Sequence, residues 1–145
     1  MLYPAMVTIF ALIMYQVFTF NVGRARDRFG VKAPAITGSP EFEARYRVQM
    51  NTLEQIIVFI PSLWMFALFL GPVTIAGIHG SVWAPIIAAI LGVVWILGRI
   101  IYARGYYKSP SKRHIGFIIA LISSSLLMLG ALAGMVIKIV TVIHS

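Results

Sequence analysis

Four stretches of this chain are apolar on every face rather than on alternate positions or along one helical stripe. They run from Met1 to Phe20, Val48 to Leu70, Val82 to Ile101 and Ile115 to Ile139. Each is about as long as the 20 or so residues a helix needs to cross the hydrocarbon of a bilayer. A helix that is apolar all round has no solvent face to present. The pattern therefore predicts an all-α fold, an integral membrane four-helix bundle forming a single domain over residues 1–145.

The breaks between the stretches carry turn chemistry. Gly30, Pro34, Gly38 and Pro40 fall in the first connection. Ser39-Pro40-Glu41-Phe42-Glu43 then reads as a helix start, with serine as cap, proline at the first position and acids in the first turn. The second helix is accordingly expected from Pro40 to Leu70, about 46 Å at about 1.5 Å per residue and longer than the hydrocarbon core. Its lower end should lie at the membrane interface, with Glu54 one turn deeper. Pro61 is expected to bend it. In the fourth stretch, Gly130-Ala-Leu-Ala-Gly134 is a small-xxx-small pattern that lets helices approach closely.

Composition agrees with a membrane protein. The chain has 145 residues, 60% of them apolar and 11% charged. A soluble domain of this size has no core large enough to hide so much apolar surface. The first stretch lacks a basic leader and a small-residue cleavage site, so it is expected to be retained rather than removed as a signal peptide. The absence of cysteine leaves no disulfide, no thiolate metal site and no cysteine nucleophile. Any sulfur chemistry must arrive on a substrate.

The formal net charge is +8. Its placement argues for topology rather than a nucleic-acid footprint. Arg24, Arg26, Arg28 and Lys32 follow the first stretch, and Arg104, Lys108, Lys112 and Arg113 follow the third, whereas Gly71 to Ser81 holds no lysine or arginine. Basic residues concentrate in cytoplasmic loops, which puts the first and third connections in the cytoplasm and the second outside.

Polar residues at the mouth of the second stretch are the candidate chemistry. Arg47, Asn51 and Glu54 fall within about 60° of one helix face at about 100° per residue. A charge at membrane depth costs about 2.5–3.5 kcal/mol or more, so such groups face protein, water or a ligand. Trp95, Arg99, Tyr102 and Tyr106 share a face at the same end of the third helix, and Lys112 and Arg113 follow. Arginines fork onto carboxylates, Glu54 suits an ammonium group, and Gln49 and Asn51 suit peptide amides. A ligand with several carboxylates, one amine and peptide bonds matches this inventory, and so does an internal network such as an Arg47–Glu54 pair. Tyr102, Tyr106 and Tyr107 also fit an interfacial aromatic belt. His79, His114 and His144 have no metal-ligand spacing, and no phosphate loop or Ser-His-Asp pattern is present.

The stretch Thr37-Gly-Ser-Pro-Glu-Phe-Glu-Ala-Arg-Tyr-Arg47-Val-Gln-Met-Asn51-Thr-Leu-Glu54, with Leu63-Trp64 beyond it, resembles the signature of the MAPEG family of eicosanoid and glutathione metabolism. Gly98-Arg99-Ile-Ile-Tyr102-Ala-Arg-Gly-Tyr106 and Lys112-Arg113-His-Ile-Gly-Phe117 extend the likeness toward its leukotriene-C synthase and microsomal glutathione transferase branch. The resemblance implies a homotrimer that binds glutathione as co-substrate between neighbouring subunits near the cytoplasmic face, without a metal. It places Arg26, Arg47, Gln49, Asn51, Glu54, Tyr102 and Tyr106 at glutathione-contacting positions. It puts Arg113 on the arginine that stabilises the glutathione thiolate.

The implied activity is glutathione transfer to a lipophilic electrophile drawn from the membrane lipid, with reduction of lipid hydroperoxides as a second use of the same thiolate. The membrane would be a bacterial inner membrane or an internal eukaryotic one. Gln55 stands where the leukotriene synthase has a tyrosine, and Asp27 where it has a second arginine. Both departures argue against leukotriene synthesis itself. The lipoxygenase-activating members lack the arginine matching Arg47, which argues for an enzyme here. The rival readings are a non-catalytic lipid-binding or activating scaffold of the same fold, and a channel or transporter subunit. Four short helices without broken, inverted segments weaken the last.

Overall fold

The computed structural model describes residues 1–143 and builds four long helices: α1 (Leu2–Phe29), α2 (Pro40–Phe69), α3 (Gly80–Lys108) and α4 (His114–Ile143). A 3-10 turn, Pro110–Arg113, leads into α4. Two-residue strands, β1 (Thr74–Ile75) and β2 (Ile78–His79), pair antiparallel between α2 and α3. All four helices are long and apolar enough to cross a membrane. His144 lies outside the described residues.

Local chemistry explains the helix ends. Ser39 is extended and its hydroxyl accepts from the Phe42 amide at 3.2 Å, Pro40 takes the first position, and Glu41 and Glu43 complement the helix dipole. Glu43 also reaches back to accept from the Gly38 amide at 3.1 Å. The expected start at Pro40 is therefore the observed one, and α2 stays helical through Pro61. The first helix runs further than its apolar stretch. It continues through Arg24, Arg26 and Arg28 to Phe29, where Gly30 takes the left-handed conformation (φ 66°) that releases the chain.

Outer faces are apolar along most of their length, with Leu2, Ile57, Ile90 and Ile115 all exposed. This is a surface made for lipid, and the four helices make the chain an integral multi-pass membrane protein. Among lipid tails, helices are held by close packing and hydrogen bonds rather than by hydrophobic exclusion. The core does this with Phe59 stacked flat on Trp95 (centroids 4.0 Å apart, planes 2° from parallel), both fully buried. Polar links join the helices in pairs. Trp64 donates to Thr8 at 3.1 Å, Gln49 to Tyr15 at 2.9 Å, and the Ser123 hydroxyl to the Leu91 carbonyl.

A close backbone approach between α3 and α4 lies beside the polar end of the bundle. A Cβ at Gly116 of α4 would fall on the Tyr102 backbone of α3, and one at Gly98 would meet the backbone of Ala120 and Gly116. A Cβ at Gly105 would likewise meet the Lys112 backbone. These three glycines press the start of α4, and with it Arg113, against the end of α3. Gly130 and Gly134 pack as the small-xxx-small pattern predicts, against Phe66 and the Phe69 backbone of α2.

Candidate functional site

At the end of the bundle where α2 enters and α3 leaves, a cavity of about 590 Å³ opens. From α2 it takes Arg47, Asn51 and Glu54, from α3 Tyr102 and Tyr106, and from the start of α4 Arg113. These six side chains come from three sequence segments separated by up to about 60 residues. Helical spacing brings each segment's members onto one face, and the Gly98–Gly116 approach brings the segments together.

The polar groups are organised. The Asn51 side-chain amide donates to Glu54 Oε2 at 3.4 Å, while its carbonyl oxygen accepts from Arg99 Nη2 at 3.1 Å. Arg99 also donates to Thr52 Oγ1 at 2.7 Å, and Thr52 donates onward to the Val48 carbonyl at 2.7 Å. The Arg99 guanidinium lies 4.1 Å from the centre of the Tyr102 ring, and Arg113 lies 5.3 Å from that of Tyr106. The two tyrosine rings meet at 59° with centroids 5.7 Å apart.

Arg47 and Glu54 are exposed to the cavity, and among the described residues no ion pair joins them. The internal Arg47–Glu54 pair that the sequence left open is thus absent from this arrangement. Two guanidinium groups, a carboxylate, an amide and two phenols converge on an open space. That set can hold a small zwitterion with more than one carboxylate, and it can place a positive charge beside a thiol. Among the described residues no group of three or more histidines and acids could hold a metal ion.

Two residues expected in the site lie elsewhere in the single chain. Arg26 donates to the Ala35 carbonyl at 2.7 Å and the Val31 carbonyl at 3.4 Å, and covers the Phe42 ring at 4.8 Å. Gln49, turned to Tyr15, faces α1. Lys112 is exposed and does not line the cavity.

Sequence reasoning missed other lining groups. His114 and Phe117 line the cavity beside Arg113, and the Phe117 position, four residues on, was readable from helical spacing. Ile36 and Thr37 come from an irregular loop that no periodicity places. Thr52 and the depth of Arg99, which is 0% exposed, carried no sequence signal beyond a shared face.

Comparison with known proteins points one way. The model of the MAPEG family matches residues 4–133. An uncharacterised protein of Synechocystis sp. is 48% identical over 132 residues, covering 91% of this chain and 87% of that one. Microsomal glutathione S-transferase 2 of Homo sapiens is 38% identical over 129 residues, or 88% of this chain and 79% of the relative. Leukotriene C4 synthase of Bos taurus is 33% identical over 109 residues, or 75% and 64%.

Proposed function

The chain belongs to the MAPEG family, and we propose that it is a membrane glutathione transferase that joins the glutathione sulfur to a lipophilic electrophile. The observation that carries this reading is the convergence of Arg47, Asn51, Glu54, Tyr102, Tyr106 and Arg113 on one cavity, with its charges unspent on each other. Two relatives, a glutathione S-transferase and a leukotriene C4 synthase, support it.

In this reading the carboxylates of glutathione dock on arginine forks, Arg47 foremost, and its ammonium meets Glu54. The thiol then lies by Arg113. A guanidinium favours the anionic form of a neighbouring thiol, and the thiolate is the nucleophile. The thiol proton leaves to water through the cavity mouth. Sulfur then bonds to the electrophilic carbon, and that carbon's leaving group departs with the electron pair, or an activated double bond or strained ring opens and is protonated. Activation and positioning carry the rate more than a general base. Lipid hydroperoxide reduction would use the same thiolate on the peroxide oxygen. The O–O bond breaks and the lipid alcohol leaves after taking a proton. The glutathione sulfenic acid that remains reacts with a second glutathione to give the disulfide and water.

Arg26 and Gln49 fit this scheme through assembly. Both sit outside the cavity of their own chain, Gln49 toward α1. In a homotrimer a neighbouring copy would bring them to the open side of the site, facing the cytoplasm. The electrophile would arrive from the bilayer between adjacent copies. The test is conjugation of glutathione to a chlorodinitrobenzene by the protein reconstituted in liposomes. Turnover that saturates with glutathione is expected. Lipid binding without glutathione-dependent turnover would instead assign the non-catalytic scaffold.

A further inference from the structure

We propose that Arg99 is a positioning residue that fixes which end of the Asn51 amide faces the ligand, and so makes this part of the site a donor to an oxygen of glutathione. The inference rests on the glutathione reading for the ligand's identity, but not for the positioning itself. Arg99 is 0% exposed, and its Nε and Nη1 make no hydrogen bond in the chain. A guanidinium stays charged in any protein environment. Burying it with two of its three nitrogens, and so three N–H groups, outside any hydrogen bond is costly, and apolar side chains in such places are often as stable or more so. Its one occupied nitrogen, Nη2, shows what the charge is used for.

Nη2 donates to both Asn51 Oδ1 at 3.1 Å and Thr52 Oγ1 at 2.7 Å. Thr52 has already given its own proton to the Val48 carbonyl, so its oxygen presents only lone pairs to Arg99. The relay therefore runs in one direction. Asn51 must offer its carbonyl to Arg99, because the reverse orientation would set amide N–H against guanidinium N–H. The Asn51 N–H₂ is left facing the cavity, where it reaches Glu54 at 3.4 Å. The guanidinium also lies over the Tyr102 ring, 4.1 Å from its centre, which holds that ring in place. One buried charge thus orients two cavity groups without touching the ligand. The chemistry selected is a peptide carbonyl or carboxylate oxygen at Asn51, not a peptide N–H.

The chain has two asparagines, Asn21 and Asn51, so selective ¹⁵N-asparagine labelling yields two side-chain amide signals. The full-length protein in detergent would be compared with Arg99→Met, Arg99→Lys, Asn51→Ala and the Arg99→Met/Asn51→Ala pair. In Arg99→Met the Asn51 signal should move to the position of an unrestrained amide while the Asn21 signal stays. Glutathione affinity should fall about tenfold, the loss of a hydrogen bond to a charged group, while kcat stays within about twofold, since Arg113 is untouched. Asn51→Ala should lose a similar amount, and the double variant little more than either single one. Lysine supplies the charge as a single point donor, so Arg99→Lys should give an intermediate amide shift.

An Asn51 signal unmoved in folded Arg99→Met would overturn the proposal, as would full additivity in the double variant. If Arg99→Met fails to fold, Arg99→Lys decides by the same shift. If the Asn51 signal responds but the wild type binds no glutathione, the positioning role stands and the transferase reading falls.

Discussion

Gly116→Ala should damage the site from outside it. A Cβ at Gly116 would land on the Tyr102 backbone nitrogen, and the neighbouring carbonyl of Gly98 blocks the alternative path. The obstacle is backbone on both sides, so no flexible side chain can give way. The start of α4 must move away from α3. Overpacking of this kind costs about 1–3 kcal/mol, against which alanine's better helix propensity returns about 0.5–1 kcal/mol. The net loss is about 1–2 kcal/mol, a fall in melting temperature of roughly 3–8 °C.

The effect on turnover should be larger than the effect on stability. Arg113 sits three residues before Gly116 and lies 5.3 Å from the Tyr106 ring on α3, so separation of the helices would carry it away from the place proposed for the thiol. A misplacement of about 1 Å costs about 100-fold in rate. The assay is glutathione conjugation beside thermal unfolding in detergent, with Gly23→Ala as control. Nothing lies within 4 Å of a Cβ at Gly23, and there alanine should be neutral or slightly stabilising. A Gly116→Ala protein that melts and turns over as the wild type does would refute the claim that this backbone contact sets the geometry of the site.

Other substitutions separate the roles. Arg47→Ala should raise the KM for glutathione about tenfold or more with kcat largely kept, because in the proposed binding mode it removes a charged bond made equally in ground and transition states; initial rates against glutathione concentration check this. Ser39→Ala removes the cap on the Phe42 amide and should cost about 1 kcal/mol, read by thermal unfolding, with the glutathione KM nearly unchanged. Trp95→Ala removes the partner of Phe59 and opens a void in the middle of the bundle. It should destabilise the protein by about 3–5 kcal/mol, seen as a large fall in melting temperature, although Trp95 lines no part of the cavity.

Much of the fold was legible because lipid imposes simple demands. Four all-round apolar stretches have one solution, and the run from Ser39 to Glu43 marks a helix start by cap chemistry alone. Arg47, Asn51 and Glu54 line one cavity, as their spacing predicts, and Trp95, Arg99, Tyr102 and Tyr106 are all buried on the inner face of α3. Apolarity misjudged α1, because it locates the hydrocarbon and not the helix, which continues through three arginines to Gly30. Spacing also ranks the members of a face equally. It gave no means of telling that Arg99 would go into the interior while Tyr106 lines the opening. The loop residues Ile36 and Thr37 reach the cavity through tertiary packing, which no periodicity encodes. Arg26 came from family resemblance alone and Gln49 also from its place in the polar end of α2, and a single chain does not bring either to the others.

The central claim is that Arg113 turns bound glutathione into a thiolate. Titrating the detergent-purified protein with glutathione at neutral pH, and following the ultraviolet absorbance of the thiolate, tests it directly. The wild type should give a saturable signal, and Arg113→Ala, folded and still able to bind glutathione, should give little or none. Each pH unit by which the thiol titrates lower in the wild type corresponds to about 1.4 kcal/mol of differential stabilisation. An equal thiolate signal in wild type and Arg113→Ala would contradict the role of Arg113, and no signal in a folded wild type would contradict the transferase itself.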